Sequence, residues 1–269
     1  MRRGWPALDS VEVDGWIVRR SAGVTQRANS VLPAGRPRDT ADALRRAESL
    51  YGDHGLEPVF QIGAAARPDG LDALLAAAGY ERRSPTLALV ADIRTVLGRL
   101  PRRELDRAAD LRTAEAPGDD WMDLWWSVDG RGGAEARSVA YRIMTGGPAR
   151  YATATDERGP AAVGRLAIVD RWAGIYCVAV RPDARRRGLA TAVLRCLLER
   201  ATELGPRHTW LQVLAGNAPA RRLYAKAGFV TAARYHYRTR PASAPGEPDE
   251  PTAVVLSRRP ASHRSSRSG

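Results

Sequence analysis

One segment of this chain limits the folds open to it. An apolar strand, Gly174 to Val180, runs into a turn opened by Pro182, and the turn feeds a helix by way of Arg185-Arg186-Arg187-Gly188-Leu189-Ala190-Thr191. A buried strand that passes into a helix through a few residues belongs to an α/β architecture, here an α+β mixed sheet. Three arginines and a glycine are expected as the first residues of that helix, which is electrostatically costly. Helix N-termini already carry partial positive charge and unpaired N–H groups, so cations there oppose the macrodipole. An anion seated against those N–H groups reverses the sign of the problem, and Gly188 lets a backbone approach it closely. Standing alone, the run is equally well read as an exposed basic turn.

A second run follows: Trp210-Leu-Gln-Val-Leu-Ala-Gly-Asn217-Ala-Pro-Ala-Arg-Arg-Leu-Tyr224-Ala-Lys-Ala-Gly228-Phe229. Trp210 to Leu214 is long enough for a buried strand. Asn217 followed by Pro219 is a helix start, an Asx cap with proline in the first turn. Ala220, Leu223, Tyr224 and Ala227 share one apolar face, and Gly228 stops the helix. Tyr224 lies two turns beyond Asn217 on roughly the same side. Taken by itself, Tyr224 reads as a core tyrosine with a satisfied hydroxyl.

In this order the two runs resemble the acetyl-CoA-dependent N-acetyltransferases of the GNAT superfamily. Arg185, Gly188 and Ala190 match R-x-x-G-x-A, and Asn217, Tyr224, Gly228 and Phe229 match N-x-x-x-x-x-x-Y-x-x-x-G-F. The spacing is also similar to that of bacterial protein N-terminal acetyltransferases. The likeness covers roughly Leu111 to Tyr237, about half the chain.

The resemblance implies a cosubstrate, acetyl-CoA, and no metal. Its pantetheine arm would lie along the strand at Val178, Ala179 and Val180, where an N–H near Val178 would polarise the acetyl carbonyl. Its diphosphate would sit on the N–H groups of Arg186, Arg187, Gly188, Leu189, Ala190 and Thr191, with arginine side chains, Arg185 among them, adding charge-assisted bonds. Asn217 would contact the far side of the arm, and Tyr224 would protonate the departing thiolate as general acid. The acceptor, a primary amine on a small molecule or peptide, would attack directly in a ternary complex. One departure stands out. Positions at which such enzymes often carry a base carboxylate are here Gly174 and Gln212, neither of which takes a proton. The expectation is that deprotonation runs through a water chain or that the amine arrives uncharged. Two alternatives stay open: a CoA-responsive binding module with little catalysis, and a mycothiol-synthase-like acetyltransferase.

Composition bounds the rest. A chain of 269 residues allows one large or two small domains. It has no apolar run near transmembrane length, and Met1-Arg-Arg-Gly-Trp-Pro6 leads into no signal-peptide core, so a cytoplasmic protein off the membrane is expected. Cys177 and Cys196 make neither a disulfide framework nor a metal set, and the four histidines show no ligand spacing. The net charge of +12 raises nucleic acid as a partner, but its excess concentrates beside the two motifs. Lys226 is the single lysine among 42 basic residues, a skew of genome composition more than a phosphate code, and nucleic-acid binding is disfavoured.

The first hundred residues repeat the pattern of the second half without its chemistry. Leu74, Ala78, Gly79 and Tyr80 align with Leu223, Ala227, Gly228 and Phe229 at an offset of 149 residues, and a helix from Asp39 to His54 falls opposite the helix ending near Gly205. Asn217 and Tyr224 correspond to Pro68 and Leu75, and the arginine loop to Gly35-Arg-Pro-Arg-Asp-Thr40. The organisation expected is a truncated, GNAT-like domain at 1–100, a linker at 101–110, a catalytic domain at 111–238 and a disordered tail at 239–269. The first domain is expected to open with a hairpin of Gly15–Ser21 and Thr25–Leu32, and to dock edge to edge on the second. Asp119 to Trp126 reads as a helix capped by an aspartate, with Asp123 and Asp129 solvated.

Overall fold

The computed structural model describes residues 1–101 and 110–240. The expected linker at 101–110 and tail at 239–269 lie largely outside the described residues. Residues Arg2–Gly4 form a 3₁₀ turn, followed by β1 (Asp9–Val13), β2 (Trp16–Arg20), β3 (Val31–Pro33), α1 (Thr40–Gly52), β4 (Val59–Gly63), α2 (Leu71–Ala77), β5 (Glu81–Asp92) and α3 (Ile93–Arg99). After the undescribed stretch come β6 (Asp110–Ala114), α4 (Asp119–Asp129), α5 (Ala134–Thr145), β7 (Ala149–Asp156), β8 (Gly159–Val169), β9 (Trp172–Val180), α6 (Leu189–Glu203), β10 (His208–Leu214), α7 (Ala218–Lys226) and β11 (Val230–Thr239). Among the described residues no helix is long and apolar enough to cross a membrane.

The eleven strands of the described residues form one mixed sheet in the order β1-β2-β3-β4-β11-β5-β10-β9-β8-β7-β6. The two halves therefore do not dock edge to edge. β5, from the first half, lies between β10 and β11, and β11, from the second, lies between β4 and β5. Each half lends a strand to the other. The offset of 149 residues explains why this exchange is balanced: α1 and α6, β4 and β10, and β5 and β11 all begin that far apart. In both halves the strand before the long helix runs parallel to the strand after it, β3 with β4 and β9 with β10.

Three apolar clusters flank the sheet. One packs α6, α7 and α3 on one face of β5 and β8–β10; a second packs α4, α5 and Trp5 on the opposite face of β8–β10; a third joins α1 and α2 to β1–β4. α6 sits close on β8 because position 164 is glycine: a Cβ there would lie 2.6 Å from Val193 Cγ1 and 3.0 Å from Leu197 Cδ1.

Several local readings need correction. A hairpin precedes the expected one: β1 and β2 turn at Asp14-Gly15, both with positive φ (46° and 85°), and β2 then pairs antiparallel with β3 as expected, from Trp16–Pro33 to Val18–Val31, though through a loop longer than an Ala22-Gly23 turn. The Asp-Gly pair satisfies a tight hairpin better than Ala-Gly does. α4 starts from Gly118 with no side-chain cap; Asp119 and Asp120 occupy its first turn, where they favour the dipole instead. α3 ends at Arg99, just ahead of the expected linker, and its N-cap Asp92 accepts from Thr95 N–H at 2.9 Å.

Candidate active site

The parallel ladder between β9 and β10 pairs Trp172 with His208 through Ile175 with Leu211, and stops there. Beyond Ile175 the two strands separate. The cause lies in β9, where Cys177 has φ 53° and the register with β8 slips between Val163–Ala179 and Arg165–Tyr176. A one-residue bulge of this kind bends a strand and leaves part of its backbone unpaired. Arg181 N–H donates to Ala161 C=O at 2.9 Å, on the β8 side. By the alternation of an antiparallel ladder, the N–H and C=O of Val180 turn the other way, into the gap towards β10. The side chains of Val178 and Val180 are buried with α6, while Tyr176, Cys177 and Ala179 face α4 and α5.

β9 ends in a 3₁₀ turn, Pro182–Ala184, and the arginines come before α6 rather than in it. Arg186 (φ 63°) and Gly188 (φ 84°) are left-handed, and Gly188 is the N-cap. No side chain caps this helix end; its first internal bond is Ala192 N–H to Gly188 C=O at 3.0 Å. The N–H groups of Leu189, Ala190 and Thr191 thus stand ahead of the helical ladder. The corresponding position in the first half is Asp39, whose carboxylate accepts from Ala41 N–H (2.8 Å) and Asp42 N–H (3.0 Å). The same helix end is open in one half and filled by the chain's own anion in the other.

The three arginines have different occupations. Arg185 Nε donates to Val180 C=O at 3.4 Å, and Arg187 pairs with Asp156 at 2.8 Å. Arg186 makes no hydrogen bond or ion pair to any described residue. Asp156 also takes two bonds from Arg181 (2.9 and 3.0 Å), and Arg181 bridges on to Asp183 at 2.7 Å. The Arg181 and Arg187 guanidiniums hold the Asp156 carboxyl down at about 2, so it stays ionised and fixes the turn. Nothing in the basic run itself announced this brace; an acid at the end of β7, across the hairpin from Arg181, was the only signal available.

Asn217 caps α7, its Oδ1 accepting from Ala220 N–H at 3.1 Å, so this oxygen is committed to the helix. Tyr224 is 2% exposed, in the cluster that holds Val178, Val180, Leu189 and Leu211, with its ring edge-on to Phe229. No described residue hydrogen-bonds its hydroxyl. Burial pushes this phenol far above its ordinary value, so it remains protonated. Cys177 is likewise buried, its thiol pushed strongly up, with Sγ 3.7 Å from Met144 Sδ. A thiol so placed is inert packing.

The two positions without a carboxylate are closed in different ways. At Gly174 a Cβ would lie 2.5 Å from the Trp210 indole, so no side chain fits. Gln212 fills its site at 4% exposure. Among the described residues no group of three His, Cys, Asp or Glu is placed to hold a metal.

Residues 1–238 match the family described as Probable histone acetyltransferase Rv0428c C-terminal. The chain belongs to the GNAT N-acetyltransferases. It is 28% identical to the uncharacterized N-acetyltransferase YobR of Bacillus subtilis, over 87% of this chain and 93% of that one. It is 31% identical to the mycothiol acetyltransferase of Clavibacter michiganensis, over 84% of this chain and 75% of that one. Among solved structures, a GCN5-related N-acetyltransferase from Kribbella flavida superposes with a TM-score of 0.65 at 17% identity, covering 88% and 91% of the two chains. A tandem GNAT protein from the clavulanic acid biosynthesis pathway gives 0.61 at 18%, covering 81% and 76%. As a GNAT enzyme the protein is an acetyl-CoA-dependent N-acetyltransferase, and its open α6 terminus and unpaired β9 edge are chemically suited to a diphosphate and an amide-bearing arm.

Proposed function

We propose that the protein transfers the acetyl group of acetyl-CoA to a primary amine by direct attack in a ternary complex, with Tyr224 as general acid. The observation that carries this reading is a buried phenol, its pKa raised by burial, with no hydrogen-bond partner among the described residues, in the same cluster as the bulged strand and the open helix terminus. Acetyl-CoA supplies the activated thioester. Around it, Val178, Ala179 and Val180 present strand backbone, and Arg186 to Thr191 present N–H groups, with Arg185 and Arg186 adding charge. Arg187 serves the turn through Asp156, and Asn217 serves by fixing α7, its amide edge bordering the arm. As the amine N–C bond forms and the C–S bond breaks, Tyr224 gives its proton to the leaving sulfur and regains one from solvent. The amine's surplus proton leaves to water, since neither Gly174 nor Gln212 can accept it.

On this reading residues 111–238 form the catalytic domain and 1–100 a GNAT-like partner that binds no CoA, because Asp39 already satisfies the α1 terminus and Leu75 stands where the phenol would be. The test is titration of acetyl-CoA together with acetyl transfer to an amine panel, for wild type and Tyr224→Phe. The variant is expected to bind within about twofold and to lose about 10²-fold in kcat. Binding by the wild type without turnover of any amine would support the alternative, a CoA-responsive module.

A further inference from the structure

Gln212 is the first residue past the last β9–β10 pair, Ile175 with Leu211, on the Trp210 side of the sheet, opposite α6. It is 4% exposed, and its Oε1 is buried with no hydrogen-bond partner. A buried acceptor left in this state is destabilising unless something donates to it. Its Nε2 has only Met1 Sδ at 3.8 Å. The covering layer is the strap Met1–Trp5: Gly4 lies so near Trp210 and Tyr176 that a Cβ there would approach them to 2.7 and 2.8 Å, and Tyr176 OH donates to Met1 C=O at 3.4 Å. The first half closes the same side, through Trp5 Nε1 to Thr25 Oγ1 at 3.0 Å and Arg27 stacked 5.5 Å from the Tyr176 ring.

We propose that Gln212 Oε1 receives an N–H of the acceptor amine, which enters in place of the Met1 side chain, and that this neutral anchor selects weakly basic α-amines over lysine-type amines. The inference rests on the acetyl-transfer reading above and names the acceptor class for that same site. A carboxylate at this position would attract an ammonium and take its proton; an amide does neither. The neighbouring charge is no help to an ammonium. Arg165, 1% exposed, lies 5.5 Å from the Tyr176 ring and donates to the carbonyls of Met144 (3.0 Å) and Gly4 (2.7 Å) and to Tyr151 OH (3.4 Å), none of them a carboxylate. The other charged or titratable groups reaching this side are Arg27, Asp129 at the end of α4, Tyr176 and Cys177 on β9, Tyr235 on β11 and the Met1 amine. At Cys177 the field of Arg165 outweighs that of Asp129. Arg3 on the strap is turned away to Asp170.

A site of this kind takes the fraction of acceptor that is already uncharged. With pKa about 8 for an α-amine and about 10.4 for lysine, the neutral fractions at pH 7 differ roughly 230-fold. The greater intrinsic nucleophilicity of the alkyl amine returns part of that, leaving a preference of about 30-fold. The experiment compares kcat/KM of the full chain, with acetyl-CoA, on a lysine-free peptide with a free N-terminus and on the same peptide N-blocked and carrying one lysine. The proposal expects at least a tenfold preference for the α-amine at pH 7, shrinking as the pH approaches 10. Gln212→Glu should narrow it at least fivefold by raising lysine use. A preference below tenfold at pH 7, or one that does not change with pH, overturns the proposal. So does an acid limb in wild type that vanishes in Asp129→Asn, which would make that carboxylate the base. Failure to acetylate any amine despite acetyl-CoA binding strikes the transfer reading itself and is recognisable as such.

Discussion

At the scale of single residues, the candidate site leaves some groups unsatisfied and silences others. Tyr224 keeps its proton because burial disfavours the phenolate, and no described residue competes for its hydroxyl. Cys177, at the bulge, is silenced, because burial holds its thiol protonated. Cys177→Ala is therefore expected to keep acetyl transfer within about threefold, measured by steady-state kinetics, and native Cys177 to resist alkylation at pH 8. A loss beyond a hundredfold would place the sulfur in the chemistry. Gly174 is fixed by sterics, since any Cβ meets the Trp210 indole.

Among the elements, the turn between β9 and α6 carries most of the design. Its ionic brace gives it a signature in acid. The Asp156 carboxyl titrates near 2 in the folded protein against 3.8 without its partners, so its contribution to stability is complete above about pH 4 and is lost as the pH falls towards 2. Asp72 follows the same course, held at about 2 first by Arg238 and then by His236. Unfolding free energy measured by urea titration between pH 5 and pH 2 should drop, and Asp156→Asn should flatten part of that slope; an unchanged slope would mean the brace contributes nothing. Much of this element was legible in the sequence. Apolar runs marked β9 and β10, Asn217 and Pro219 marked the start of α7, and Gly188 marked a close backbone approach. What could not be read was the partner of each arginine, because Asp156 and Arg187 meet only through the β7–β8 hairpin. For the same reason the surroundings of Gln212 were hidden: Met1, which covers it, is more than two hundred residues away in sequence. The antiparallel pair β2–β3 was legible on either side of Ala22-Gly23, whereas the strand β1 ahead of it and the Asp14-Gly15 turn were not.

The molecule as a whole is two related halves that have traded a strand. β5 gives β10 a full antiparallel partner from Thr86 to Asp92, and β11 does the same for β4. Neither half can complete its sheet alone. Residues 110–240 expressed without the first half should show no cooperative unfolding transition by circular dichroism, while the full chain unfolds in one; two separate transitions would contradict the exchange. The repeat at an offset of 149 was visible from glycine–aromatic pairs, but the exchange was not, since sequence order says nothing of which edge a late strand chooses. Duplication also supplies an internal control for the central claim, that a left-handed, uncapped Gly188 is what lets α6 hold a diphosphate while Asp39 prevents α1 from doing so. The most direct measurement is calorimetric titration of wild type and Gly188→Asp with acetyl-CoA and with acetyl-pantetheine, which lacks the diphosphate. The expected result is at least about a tenfold weaker acetyl-CoA affinity in the variant with the acetyl-pantetheine affinity unchanged. Equal acetyl-CoA affinity in the two proteins would contradict the account.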